Sequence, residues 1–139
     1  GFGIGVNLDA SIDAPSLDCA YKLQEFGGRP RRKRSEGKAT WPGRKQVWRA
    51  YDADGRMRGD VLSVETDTHA GEPLIVPVMR GGKRLAPAES LAAIRARAAR
   101  ELARLPAPLA RLEPGHDYPV TIAPALKALA QEADRLAAG

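Results

Sequence analysis

The residues with the clearest chemical potential stand at the start of the chain. GFGIGVNL places glycines at positions 1, 3 and 5, followed by Asn7. Glycine lets successive backbone N–H groups turn toward one anion, and such nests hold phosphate. A helix starting just beyond would add a favourable dipole. The spacing is not the Rossmann fingerprint, and no Gly-Lys-Ser/Thr follows to make a Walker loop. A plain glycine-rich turn between strand and helix gives the same pattern. The second feature is the run Arg29-Pro30-Arg31-Arg32-Lys33-Arg34-Ser35-Glu36-Gly37-Lys38. A nucleic-acid or localisation patch and a phosphate-contacting enzyme segment both need such cations. A solvated connector is the ordinary reading of a charge run. No helix-turn-helix, zinc or RNP-type pattern accompanies it, and aromatics at 5% are too few for a base-stacking platform.

Other reactive residues fall into no recognisable constellation. Asp13, Asp18, Glu25, Asp52, Asp54 and Asp60 show no spacing that marks an acid/base pair. Ser16 and Ser35 have no histidine at a nucleophile spacing. His69 sits in a polar stretch that reads as a surface loop, and His116 follows the Pro114-Gly115 turn. Two distant histidines make a multi-histidine metal site improbable, and the single Cys19 excludes an internal disulfide or a cysteine-cluster zinc site. A lone cysteine at a strand start reads as buried and inert, and fits a reducing cytosol. Trp41, in Trp41-Pro42-Gly43-Arg44-Lys45, reads as a packing residue at a turn into a strand.

The elements that must hold these residues follow from periodicity. Cys19 to Phe26 alternates apolar and polar residues, predicting a strand closed by the Gly27-Gly28 turn. Gln46 to Tyr51 and Arg56 to Glu65 read as two strands of a hairpin around Asp52-Ala53-Asp54-Gly55. Leu74 to Met79 reads as a further strand, kept at an edge or bend by Pro77, before the Gly81-Gly82 turn. From Glu89 to Leu105 the period changes. Leu91, Ile94, Ala98, Leu102 and Leu105 mark one buried face of a helix, stopped by Pro106 and Pro108. Tyr118 to Ala123 reads as a short strand. Pro124 opens a last helix carried by Leu126, Leu129, Ala133 and Leu136.

Composition bounds the class. The 139 residues suffice for one lean domain, at 43% hydrophobic and a net charge of +5. No apolar run approaches the roughly 18 residues that span a bilayer. The charge is uneven: residues 29 to 49 hold nine cations against the single acid Glu36. The chain starts at Gly1 with neither Met nor a leader, which leads to the expectation of a fragment of a longer polypeptide.

Three stretches in order carry a resemblance. They are Gly1 to Leu8, then Tyr21-Lys22-Leu23 running into Gly28-Arg29-Pro30 and Lys33-Arg34-Ser35, then Gly37-Lys38 running into Trp41-Pro42-Gly43-Arg44-Lys45-Gln46-Val47. This order resembles the C-terminal part of nicotinate phosphoribosyltransferases. That family has an FGxGTNL-like loop, a YKL strand, GRPxxKxS, GKxTxPGRKQVxR and a DADG-type turn. The likeness is specific to about residue 65 and looser through Pro77-Val78-Met79-Arg80-Gly81-Gly82 and the two helices. Val6 stands where the family usually has Thr, and Arg31, Arg32 and Arg34 make the basic segment more cationic than usual.

The resemblance implies an α/β fold: residues 1–18 would be the end of a type II phosphoribosyltransferase irregular α/β barrel, and 19–139 a mixed α+β C-terminal accessory domain. It implies an ATP-dependent, ligase-classified enzyme of NAD salvage, assisted by Mg2+. Such an enzyme joins nicotinate to 5-phosphoribosyl-1-pyrophosphate, giving nicotinate mononucleotide and pyrophosphate. It implies phosphate binding by Gly3, Gly5 and Asn7, and anion contacts at Lys33, Ser35 and Lys38. No catalytic or metal-binding residue is carried onto this chain. The implied partners are small-molecule substrates, without nucleic acid or membrane. The implied setting is cytoplasmic, with a homodimer in the full-length form. A basic nucleic-acid-binding module and a structural interaction module, with the terminal helices at a subunit interface, stand as the alternatives.

Overall fold

Antiparallel hairpin pairing builds the centre of the molecule. The computed structural model describes residues 21–111 and 117–137. A short hairpin comes first, β1 (Glu25–Phe26) and β2 (Arg29–Pro30), turned by Gly27 and Gly28 at φ +57° and +71°. The central pair is β3 (Lys45–Tyr51) and β4 (Met57–Val64). Then come β5 (Glu72–Pro73), the two-residue strands β6 (Met79–Arg80) and β7 (Lys83–Arg84), helix α1 (Leu91–Ala103), β8 (Val120–Ile122) and helix α2 (Pro124–Leu136). The main sheet has the order β5-β3-β4-β8, with β8 parallel to β4 and the other pairs antiparallel.

The β3–β4 hairpin forms where the sequence places it. The Asp52 carboxylate accepts the backbone N–H groups of Asp54 and Arg56, at 3.0 and 2.8 Å, and Gly55 takes φ +75°. A bulge between Ala50 and Tyr51 shifts the register, so that Arg49 faces Asp60. Helix α2 starts at Pro124, whose missing N–H costs nothing in a first turn. It lays Leu126 and Ala130 on β4, and with Met57 and Ala123 these form the buried apolar core of the described residues. Beneath the sheet, the Trp48 indole N–H donates to the Ser63 hydroxyl at 3.2 Å, and Ser63 is fully buried.

Three expectations are corrected. The strand from Cys19 to Phe26 shrinks, among the described residues, to Glu25–Phe26; Tyr21 is fully exposed, so its alternation faces no core. Residues 74–78 form no strand, and Met79 alone enters one, as the first residue of β6. Pairing with β3 ends at Pro73, and Leu74 donates one further bond to the Val47 carbonyl. The Gln46 side-chain amide then takes both backbone groups of Ile75, and Pro77 has no N–H to continue. Finally, α1 has its predicted length and a Ser90 cap accepting from Ala93 N–H, but none of its residues is buried. It is tied to the sheet at its C-terminal end alone among the described residues. There Arg104 stacks on the Tyr51 ring at 3.7 Å, donates to the Gly55 carbonyl and accepts from Met57 N–H. Tyr51 in turn donates to Glu72 at 2.6 Å.

The described residues contain no helix long and apolar enough to cross a membrane. Gly3, Gly5, Asn7, Cys19 and His116 lie outside the described residues. His69 is half-buried rather than a free loop residue, its ring 6.4 Å from that of Trp48.

Candidate anion-binding loop

The basic run becomes a closed loop. Lys33 N–H donates to the Thr40 hydroxyl and Thr40 N–H donates to the Lys33 carbonyl, both at 3.0 Å. These two bonds pinch residues 33 to 40 at the base. At the tip, Lys38 N–H bonds the Ser35 carbonyl at 3.0 Å, a turn that Gly37 permits at φ +65°. The structure therefore brings Lys33, Ser35 and Lys38 onto one loop, all exposed.

Beneath the loop lies a knot that the sequence reading missed. The Gln24 carbonyl accepts from Arg31 N–H at 2.8 Å and from Gly43 N–H at 2.7 Å. The Lys45 ammonium points inward and donates to the Trp41 carbonyl at 2.8 Å, the Gly43 carbonyl at 2.5 Å and Gln24 Oε1 at 3.4 Å. Three oxygens match its three donors. Burial pushes the Lys45 pKa below the usual lysine value, because desolvation disfavours the charged form. Pro42 is fully buried beside it. Gly43 has φ +74°, and a Cβ there would stand 2.9 Å from Leu129, so this corner requires glycine. Trp41 packs as expected, half-buried, with the Arg32 guanidinium 5.9 Å above its ring.

The fold thus sorts the nine cations of residues 29 to 49. Arg32 pairs with Asp134 at 3.4 Å, Arg44 with Glu25 at 3.0 Å, and Arg49 with Asp60 at 2.8 Å. Lys45 is spent on carbonyls. Arg29, Arg31, Lys33, Arg34 and Lys38 have no carboxylate within ion-pair distance among the described residues. Three acids neutralise Arg32, Arg44 and Arg49, three oxygens solvate Lys45, and among the described residues the unpaired charge is concentrated along residues 29 to 38. Next to this segment is a recess of about 450 Å³ lined by Tyr21, Lys22, Gln24, Thr40, Trp41, Lys45 and Leu62. With Lys45 spent, the recess offers the Lys22 ammonium, the Thr40 hydroxyl and the Tyr21 and Trp41 rings, while Lys33, Ser35 and Lys38 lie outside its lining.

A second polar cluster was also not foreseen. The Asp60 carboxylate accepts from Arg49 Nε at 2.9 Å, Arg49 Nη2 at 2.8 Å and the Tyr118 hydroxyl at 2.9 Å. The Arg49 bonds hold the Asp60 carboxyl below the usual carboxylate range against the opposing effect of burial. Burial first, then the bond to Asp60, pushes the Tyr118 hydroxyl up. The cluster joins β3, β4 and the segment entering β8, so its role is structural.

Comparison with known proteins bears on this geometry. Residues 64–130 match the family model described as nicotinate phosphoribosyltransferase C-terminal domain. The chain is 42% identical over 124 residues to the nicotinate phosphoribosyltransferase pncB2 of Mycobacterium tuberculosis, covering 88% of this chain and 27% of that one. It is 35% identical to the nicotinate phosphoribosyltransferase of Bos taurus, covering 98% of this chain and 29% of the relative. The crystal structure of human nicotinic acid phosphoribosyltransferase superposes with a TM-score of 0.66 at 28% identity, over 81% of this chain and 26% of the human one. The chain spans about a quarter of the length of the relatives it matches. The family match runs from the end of β4 into α2, and the alignment to the Mycobacterium tuberculosis relative takes in most of the chain, so the chain belongs to the nicotinate phosphoribosyltransferase family and carries that family's C-terminal domain.

Proposed function

We propose that this chain is the C-terminal part of a nicotinate phosphoribosyltransferase in NAD salvage. The enzyme displaces pyrophosphate from C1 of 5-phosphoribosyl-1-pyrophosphate with the ring nitrogen of nicotinate, giving nicotinate mononucleotide. Family membership carries this reading over a nucleic-acid-binding or purely structural module. In it, residues 1–18 close the catalytic barrel and 19–139 form the accessory domain. Gly3, Gly5 and Asn7 hold the 5′-phosphate through backbone N–H groups. The loop of Lys33, Ser35 and Lys38 supplies anion contacts. The single structural observation behind that assignment is the sorting of cations: the structural ones are paired or solvated by protein oxygens, and among the described residues the loop's are not. The setting is cytoplasmic, the substrates are small molecules, and the full-length form is a homodimer.

ATP and Mg2+ enter through the family likeness. Magnesium requires an octahedral set of oxygen ligands. Among the described residues no three His, Cys, Asp or Glu side chains gather closely enough to hold a metal ion.

Two outcomes test the reading. Given nicotinate, 5-phosphoribosyl-1-pyrophosphate, ATP and Mg2+, the purified 139-residue chain is expected to form no nicotinate mononucleotide. Turnover would show that it holds a complete site. Titrated with 5-phosphoribosyl-1-pyrophosphate, the chain is expected to bind, and the Lys33→Ala/Lys38→Ala variant is expected to bind about tenfold more weakly, as for loss of two charge-assisted contacts. Parent-like affinity in the double variant would remove the loop from the site. Tight, salt-sensitive binding of duplex DNA in its place would favour the nucleic-acid module.

A further inference from the structure

The hairpin of β6 and β7 carries a charge arrangement that works against its own pairing. Its turn is Gly81-Gly82, with φ +55° and +75°, and two such positive angles make a tight turn that fixes the register of the strands. That register sets Arg80 directly opposite Lys83, and Met79 opposite Arg84. A further bond, from Leu85 N–H to the Val78 carbonyl at 3.0 Å, extends the pairing by one step. Directly opposed residues of an antiparallel pair share one face, with Cβ atoms about 5 Å apart, and like charges there repel. Arg80 and Lys83 are exposed, and neither has a carboxylate within ion-pair distance among the described residues. Residues 74–88 contain no acid. Charge that only keeps an exposed edge from pairing with other strands does not need two cations face to face. Arg80 opposite a carboxylate would serve that end and favour the hairpin as well. Two more donors stand at the same tip, since the N–H groups of Gly81 and Gly82 make no backbone hydrogen bond among the described residues.

We propose that the β6–β7 turn is an anion clamp for a small phosphoanion: free phosphate or pyrophosphate, or the phosphate group of a larger metabolite. A dianion between Arg80 and Lys83 replaces one repulsion with two attractions. The two side chains are suited to share it, because arginine meets phosphate oxygens with a planar fork and lysine with a compact point charge. Glycine N–H groups at the turn add donors with no side chain in the way of the ligand. The extent of the site selects a small ligand. Its donors are confined to residues 80–83, whereas nucleic acid is held by many phosphate contacts along a groove. Residues 74–88 also lack an aromatic ring on which a base could stack. The hairpin is open to water, which weakens its charge contacts, and the expected dissociation constant is about 1 mM. This inference concerns the hairpin alone and does not depend on what the basic loop binds.

The test is an NMR titration of the isotope-labelled 139-residue chain with sodium pyrophosphate at constant ionic strength. It is run in the Lys33→Ala/Lys38→Ala background, so that the basic loop does not compete. The Gly81 and Gly82 N–H signals are expected to shift and to saturate with a constant of about 1 mM. Lys83→Glu makes the cross-strand pair attractive, so the hairpin stays formed while binding is expected to weaken more than about tenfold. Lys83→Arg keeps the charge and is expected to bind within about twofold of the parent side chain. Inorganic phosphate and a sugar phosphate of equal charge separate the two sources. Equal affinities assign the clamp to the phosphate group alone, and a tighter sugar phosphate assigns it to the larger metabolite. No saturable shift up to about 20 mM pyrophosphate overturns the proposal. An equal response to chloride, or unchanged affinity in Lys83→Glu, does so too. Duplex DNA or anionic vesicles that shift these signals where pyrophosphate does not would overturn the small phosphoanion as the ligand.

Discussion

Replacing Asp60 with alanine is expected to cost about 3 kcal/mol of folding stability at neutral pH, read from urea denaturation. Asp60 is 9% exposed, and its two oxygens accept three hydrogen bonds. The alanine variant leaves the Arg49 guanidinium, whose side chain is 21% exposed, and the Tyr118 hydroxyl without their acceptor. Removing one partner of a buried pair costs more than the pair contributes, because the remaining charge stays desolvated. Partial exposure of Arg49 to water places the expected loss at the low end of that class. Asp60→Asn keeps one carbonyl oxygen and is expected to lose about half as much. The pH dependence has a definite sign. Arg49 depresses the folded-state pKa of Asp60 below its ordinary 3.8. The contribution is therefore complete above that ordinary value and is lost as pH falls through the lower, folded one. The parent should lose this stability as acid is added below about pH 4, and Asp60→Asn should lack that part of the decline. A loss under about 1 kcal/mol in Asp60→Ala would mean that water replaces the carboxylate without penalty.

Replacing Leu126 with alanine is expected to cost about 3 kcal/mol and to lower the thermal midpoint by more than ten degrees. Leu126 is 0% exposed and sits where the first turn of α2 crosses β4, between the buried residues Ala123 and Ala130. Its small neighbours cannot reach into the space that it vacates, so most of the cavity persists. The apolar core of the described residues is lean, and a domain of this size has roughly 5–15 kcal/mol in total. Leu126→Ala should thus remove roughly a fifth to three fifths of that total. Leu91→Ala offers the control: the same truncation on an open helix face is expected to change monomer stability by less than about 0.5 kcal/mol. Equal losses at the two positions would place the core elsewhere.

The contrast between Leu126 and Leu91 separates what was readable from what was not. Both lie on stripes of helical period, and the period does identify both helices. A stripe reports that one face can be buried, and only the packing of other elements reports whether it is. The opposite case is the run Leu74 to Met79. Its composition favours a strand, but Pro73 and Pro77 lack the N–H groups that a ladder needs, and the Gln46 amide takes the place of the neighbouring backbone at Ile75. The Asp60 cluster shows a third limit. The Asp52–Gly55 turn is local and legible, and counting back from an unbulged turn sets Arg49 opposite Gly59. One extra residue at the Ala50–Tyr51 bulge moves Asp60 into that place.

By itself the sequence determined the local features: the β3–β4 turn, the Pro124 helix start, the excess of cations in residues 29 to 49, and the order of motifs that resembles the nicotinate phosphoribosyltransferases. These depend on backbone torsions and on residue identity, which act over a few positions. Tertiary structure decided which cations find a partner among the described residues. Arg32 finds Asp134 across 102 residues of sequence, Lys45 turns inward onto three oxygens, and Lys33, Ser35 and Lys38 remain exposed on a pinched loop. A charge in a sequence is only a count. Whether it is spent on the fold or left for a ligand depends on which oxygens lie within about 3 to 4 Å, and only the folded chain sets those distances.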